Sequence, residues 1–162
     1  MSDHVDLVLR QWEAARPDLD ASPMGVIGRL SRLAQVMDTE LRRTFAKHDL
    51  DRSSFDVLAT LRRAGRLTPA ELMRSSMITS GAVTQRLDRL EARGLVTRTP
   101  SDSDGRGVYV DLTDEGLALI DRVLPDHVDT EHGLLGALTP ARRTELADLL
   151  RTLLVSLGDG EA

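Results

Sequence analysis

Apolar side chains recur along this chain mostly at helical spacing, with one short stretch where the spacing turns to alternation. Val5, Val8, Leu9 and Trp12 fall at i, i+3, i+4 and i+7 and predict an amphipathic helix that stops near Arg16, because Pro17 follows. A helix this short is marginal alone, so its stripe must dock on another surface. Ser22-Pro23 predicts the N-cap and first turn of a long second helix, with Val26, Ile27, Leu30, Leu33, Ala34, Met37, Leu41 and Phe45 as its stripe. Ser53 predicts the next N-cap, with Asp56 at N3 and Phe55, Val57, Leu58 and Leu61 as the apolar face; Gly65 ends that helix. Thr68-Pro69-Ala70-Glu71 reads as a capping box opening a short helix through Leu72 and Met73. After a turn at Ser75-Ser76, Thr79 or Ser80 caps a helix carrying Val83, Leu87 and Leu90, closed by Gly94.

The period then changes. Leu95 to Thr99 and Val108 to Leu112 are short β-favouring runs around the polar loop 100–107, which predicts a hairpin with an extended tip. Thr113 caps a helix running to about Glu131, with a bend near Pro125, and Thr139-Pro140 opens a last helix striped by Leu146, Leu149, Leu150, Leu153, Leu154 and Leu157. Helix, turn, helix, hairpin, helix is the order of a winged helix-turn-helix. The expected fold is therefore mostly α with a small β-hairpin wing, flanked by N- and C-terminal dimerisation helices. Its expected parts are residues 1–47 (N-terminal helices), 53–112 (winged helix-turn-helix lobe) and 113–162 (C-terminal helices).

Composition alters this picture in two ways. The net charge of −5 argues against nucleic acid until it is divided along the chain: residues 1–24 carry −3, residues 25–112 carry +4 and residues 113–162 carry −6. The basic middle coincides with the expected helix-turn-helix, and local charge steers binding more than the total does. The absence of cysteine excludes disulfides, thiol nucleophiles and thiolate metal sites. No apolar run approaches the ~18 residues of a membrane span, and the N-terminus is acidic, so a cytoplasmic location is expected.

Three segments carry a specific resemblance: T-P-A-E-L-M, S-G-A-V-T-Q-R-L-D-R-L-E-A-R-G-L-V-T-R, and D-S-D-G-R-G-V-Y-V-D followed by L-T-D-E-G. They resemble the signature of the multiple-antibiotic-resistance regulator (MarR) family over about 50 continuous residues. The resemblance implies a dimeric transcriptional regulator bound to double-stranded operator DNA. The residues fit that role. On the 79–93 helix Val83, Leu87 and Leu90 share one narrow arc facing the core, while Gly81, Gln85 and Asp88 lie opposite and Thr84 on the flank. A helix entering the major groove needs short polar side chains in its first turn, and Thr79, Ser80, Gly81, Thr84 and Gln85 supply them. Arg106, between Gly105 and Gly107 at the wing tip, suits the narrow minor groove. Arg98 fits either a phosphate contact or a strand salt bridge.

Trp12, Asp56 and Arg86 stand apart from the groove-reading set. Arg86 lies about 60° from the centre of its helix's apolar stripe. A semi-buried guanidinium needs a carboxylate, for which Asp56 is a candidate. The segments around Trp12 and Asp56 resemble the urate-responsive subgroup of the family. That implies a small anionic, urate-like ligand held by these three residues. The alternatives are structural: Asp56 completing a capping box, Trp12 anchoring its helix, Arg86 serving a core ion pair. No cofactor or metal site is expected, since His127 and His132, five apart, lie about 140° apart on a helix. A repressor released by its ligand is the reading these features favour. A winged-helix module used only for protein association, or a small enzyme, are the competing classes, separated from it by salt-dependent binding to duplex DNA.

Overall fold

The computed structural model describes residues 2–76, 83–100 and 107–159. The chain divides into two compact units, Met1–Arg52 and Ser53–Ala162.

The first unit holds α1 (His4–Ala15) and α2 (Ser22–Ala46). Asp3 caps α1 in a reciprocal box with Asp6: the Asp6 N–H donates to Asp3 Oδ1 at 3.0 Å and the Asp3 N–H to Asp6 Oδ2 at 2.8 Å. The helix stops before Pro17, and the Arg16 N–H closes its last turn on the Trp12 carbonyl. Two glycines let α1 lie close on α2: a Cβ at Gly25 would meet Leu9 Cδ1 at 3.3 Å, and one at Gly28 would meet Val5 Cγ1 at 3.4 Å. The expected Ser22 cap is corrected. Ser22 is already helical, Ala21 precedes it without a side-chain cap, and the Ser22 N–H donates to Asp20 Oδ1 at 2.9 Å. Along α2 the stripe is buried at its C-terminal end, at Leu41 and Phe45, while Val26, Ile27, Leu33 and Met37 stay exposed.

The second unit carries α3 (Arg52–Ala64), α4 (Pro69–Ser75), α5 (Val83–Ala92), β1 (Val96–Pro100), β2 (Val108–Leu112), α6 (Asp114–Leu134) and α7 (Pro140–Ser156). Helix α3 starts at Arg52, so Ser53 lies within it and Asp56 stands at N5, two residues beyond N3. The core is Leu58 and Leu61 of α3, Leu72 of α4, Leu87 and Leu90 of α5, Val110 of β2, and Ile120 and Val123 of α6, all almost wholly buried.

Strands β1 and β2 pair antiparallel from Val96 with Leu112 to Pro100 with Val108. A third edge, invisible in the sequence pattern, comes from Leu67, which exchanges both backbone hydrogen bonds with Val110 at 3.1 and 2.7 Å. Gly94, at φ +69°, turns the chain out of α5 into β1. Thr113 then ties the start of α6 to that corner: its hydroxyl donates to the Gly94 carbonyl at 2.6 Å and accepts the Gly116 N–H at 3.0 Å. Helix α6 runs unbroken through Pro125 to Leu134, three residues past the expected end.

Candidate nucleic-acid interface

Helices α4 and α5 are the two helices of the expected helix-turn-helix in the second unit. Thr68 caps α4 and Glu71 reciprocates, its Oε2 accepting from both the Thr68 N–H and hydroxyl at 2.8 Å. Those two donors hold the Glu71 carboxyl below its ordinary pKa, so it stays charged near the positive helix end. At the other end of α4, the Arg63 guanidinium donates to the Ser75 carbonyl at 2.5 Å, capping the last turn before the link to α5.

Helix α5 turns Val83, Leu87 and Leu90 into the core and leaves Thr84, Gln85, Asp88 and Arg89 exposed. This is the amphipathic division a groove-reading helix requires. Thr79, Ser80 and Gly81, expected at its start, lie outside the described residues, as does Arg106 at the wing tip.

Sequence reasoning missed an arginine beside the wing. Arg66, just before the Leu67 bridge, donates from Nη2 to Thr99 Oγ1 at 2.5 Å and stacks its guanidinium 4.6 Å from the centre of the Tyr109 ring. Thr99 and Tyr109 face each other across the hairpin, so Arg66 clasps one cross-strand pair from the side. The signal was thin: an arginine after a helix-ending glycine resembles any exposed loop charge.

Arg98, in the middle of β1, is engaged by α5. Its Nη2 lies 2.6 Å from Asp88 Oδ1 and its Nη1 3.4 Å from Glu91 Oε2. Arg86 lies half-buried on α5, and its Nη1 is buried with no hydrogen-bond partner among the described residues, Asp56 included. The expected Asp56 carboxylate is therefore not on that nitrogen. Asp56 is half-buried on α3 of the same unit, whereas Trp12 belongs to α1 of the first unit and is 38% exposed there. His127 of α6 packs its ring 4.6 Å from that of Phe55, with Nε2 3.3 Å from Glu131. No helix among the described residues is long and apolar enough to cross a membrane.

A helix-turn-helix whose second helix presents a polar face, followed by a two-stranded wing, defines a winged-helix DNA-binding protein. The MarR family pattern matches residues 48–107. The HTH-type transcriptional regulator PecS of Dickeya dadantii is 43% identical over 146 residues, 88% of each chain. A mutant MarR from E. coli, solved in complex with operator DNA, superposes with a TM-score of 0.73 at 29% identity, over 94% of this chain and 99% of that one. Bordetella bronchiseptica BpsR, whose DNA binding is regulated by 6-hydroxynicotinic acid, matches with a TM-score of 0.73 at 29% identity, over 79% and 91% of the two chains. The chain belongs to the MarR family and is a DNA-binding transcriptional regulator.

Proposed function

We propose that this regulator is a cytoplasmic, homodimeric repressor that binds a pseudo-palindromic operator and leaves it when a small planar anion binds. Thr79, Ser80, Gly81, Thr84 and Gln85 are assigned to the major groove, Arg106 to the minor groove, and Trp12, Asp56 and Arg86 to the ligand. Two symmetry-related recognition helices demand half-sites about one helical turn, ~10 base pairs, apart.

The observation that carries the ligand reading is the buried Arg86 Nη1, which has no acceptor among the described residues. A buried donor left unsatisfied costs about 1–3 kcal/mol, more when it is charged. An anion would supply the missing acceptor, and it would do so on α5, the helix that also presents Thr84 and Gln85. Binding there acts directly on the element that reads DNA. The regulation of BpsR by 6-hydroxynicotinic acid supports a planar aromatic acid as the ligand class.

The test uses the protein's single tryptophan, Trp12, and a labelled fragment of the DNA flanking its own coding region. Urate and 6-hydroxynicotinate are titrated separately while tryptophan emission and DNA release are followed. The expected result is release over the same concentration range as a change in emission, both lost in Arg86→Ala. A hundredfold preference of the ligand for the non-binding form corresponds to about 2.7 kcal/mol per site. If neither anion moves either signal, or if Arg86→Ala responds as wild type does, Arg86 is not the ligand's anchor.

A further inference from the structure

The recognition helix carries two acids, Asp88 and Glu91, on a surface that DNA binding would place near phosphates. Taken alone they oppose binding, and their geometry suggests why they are there. With Thr84 they form a line at i, i+4 and i+7 along one flank of α5, about two turns long. One guanidinium reaches all three. From the middle of β1, opposite Val110 in the hairpin register, Arg98 Nη2 contacts Asp88 Oδ1 at 2.6 Å and the Thr84 carbonyl at 3.4 Å, and Nη1 contacts Glu91 Oε2 at 3.4 Å. The Arg98 side chain is 26% exposed, against 56% for Asp88 and 42% for Glu91, so the cation is the inner partner and the acids close over it.

The geometry points to Arg98 as a positioning residue that locks the recognition helix to the wing, setting the major-groove and wing elements at one fixed spacing. A guanidinium has a rigid, planar fork that serves two carboxylates at once, whereas a lysine ammonium is a compact charge on a flexible stem. A cation already committed to two carboxylates has little charge left to displace counterions from DNA. Arg98 therefore acts on specificity through α5, and Asp88 and Glu91 are its anchors. This rests on α5 being the helix that reads DNA.

The full-length protein is tested for binding to its operator and to an unrelated duplex over a range of salt concentrations. Asp88→Asn separates the possibilities by sign. Removing an acid near phosphates strengthens binding if Asp88 is merely a surface charge; if it anchors the clamp, operator binding falls about tenfold while binding to the unrelated duplex does not fall. Arg98→Gln is expected to give the same loss, Arg98→Lys to recover little of it, and the double variant to be no worse than either single change. The dependence of log K on log salt should keep its slope in Arg98→Gln; a lost phosphate contact would reduce it by about 0.9. A purely structural lesion would weaken both DNAs together and lower the melting temperature of Asp88→Asn. Gln85→Ala and Arg106→Ala serve as controls for DNA reading itself. If those two bind the operator as wild type does, the assignment of α5 and the wing to DNA has failed. If they weaken binding but Asp88→Asn strengthens it, or the salt slope falls in Arg98→Gln, the clamp is wrong and the DNA assignment stands.

Discussion

Gly116 shows how much one missing methyl can decide. A Cβ there would sit 1.9 Å from the carbonyl oxygen of Leu95, a backbone atom that cannot swing aside. The first turn of α6 is thus pressed against the corner where α5 becomes β1, and Thr113 bonds to the same corner. Gly116→Ala is expected to destabilise the second unit by at least about 3 kcal/mol, at the upper end of overpacking costs, since the obstacle is backbone. Gly133, in the last turn of the same helix, has nothing within 4 Å of its would-be Cβ. Gly133→Ala should stabilise by roughly 0.4–1 kcal/mol, through the reduced freedom of the unfolded chain. Urea midpoints of the two variants should move in opposite directions; a shared direction would contradict this contact geometry. The L-T-D-E-G segment was readable as a helix start because Thr113 and the two acids are local signals. That its glycine answers to Leu95, twenty-one residues earlier, was not readable, because a tertiary clash leaves no trace in local periodicity.

Helix α1 illustrates the same division among elements. Its stripe and its stop at Pro17 were legible, but what fastens it was not. Arg29 of α2 donates from Nε to Asp3 Oδ2 at 2.8 Å and from Nη2 to Asp6 Oδ1 at 2.5 Å, so the two acids that cap α1 also tether it. Backbone N–H donation within the capping box, aided by Arg29, holds both carboxyls below their usual value of 3.8. Carboxylates with depressed folded-state pKa values stabilise fully above the unfolded value and lose that contribution as pH falls through the folded ones. The tether should therefore be unchanged between pH 8 and 5, and be released only below about pH 4. In Arg29→Ala the release should move to higher pH, towards the ordinary aspartate range. An acid titration of Trp12 emission in both proteins reads this directly, and an identical midpoint would show that Arg29 does not hold α1. The shifted start of α3 has a comparable origin. Local cap preference at Ser53 does not fix a helix start to within two residues, and α3 begins at Arg52.

For the whole molecule, the apolar area a single chain leaves open matters most. Helix α7 buries none of its residues: Leu149, Leu153, Leu154 and Val155 are exposed, and Leu157, just past its end, is 83% exposed. In the first unit, Val26 and Ile27 of α2 are exposed, and an open groove of about 520 Å³ between α1 and α2 is lined by Val5, Val8, Leu9, Pro23, Met24 and Ile27. The leucine stripe of α7 was plain in the sequence, and isologous pairing of two chains would cover it. Contiguous apolar faces of this kind mark association surfaces. Leu154→Glu tests the idea cleanly, because a side chain exposed in the single chain adds little to its fold. Burying a leucine is worth about 1.5–3 kcal/mol, and a two-fold interface contains the site twice, so the dimer should lose roughly 3–6 kcal/mol. That raises its dissociation constant by about two to four orders of magnitude. Sedimentation should show wild type dimeric at micromolar concentration and Leu154→Glu largely monomeric, with an unchanged helical spectrum. Operator affinity should fall with it, since a monomer reads one half-site and forfeits the gain from linking two. Binding to a single isolated half-site should be nearly the same for both proteins at concentrations where each is monomeric. A wild type that sediments as a monomer would overturn the homodimer, and a Leu154→Glu variant that remains a dimer would place the interface away from α7.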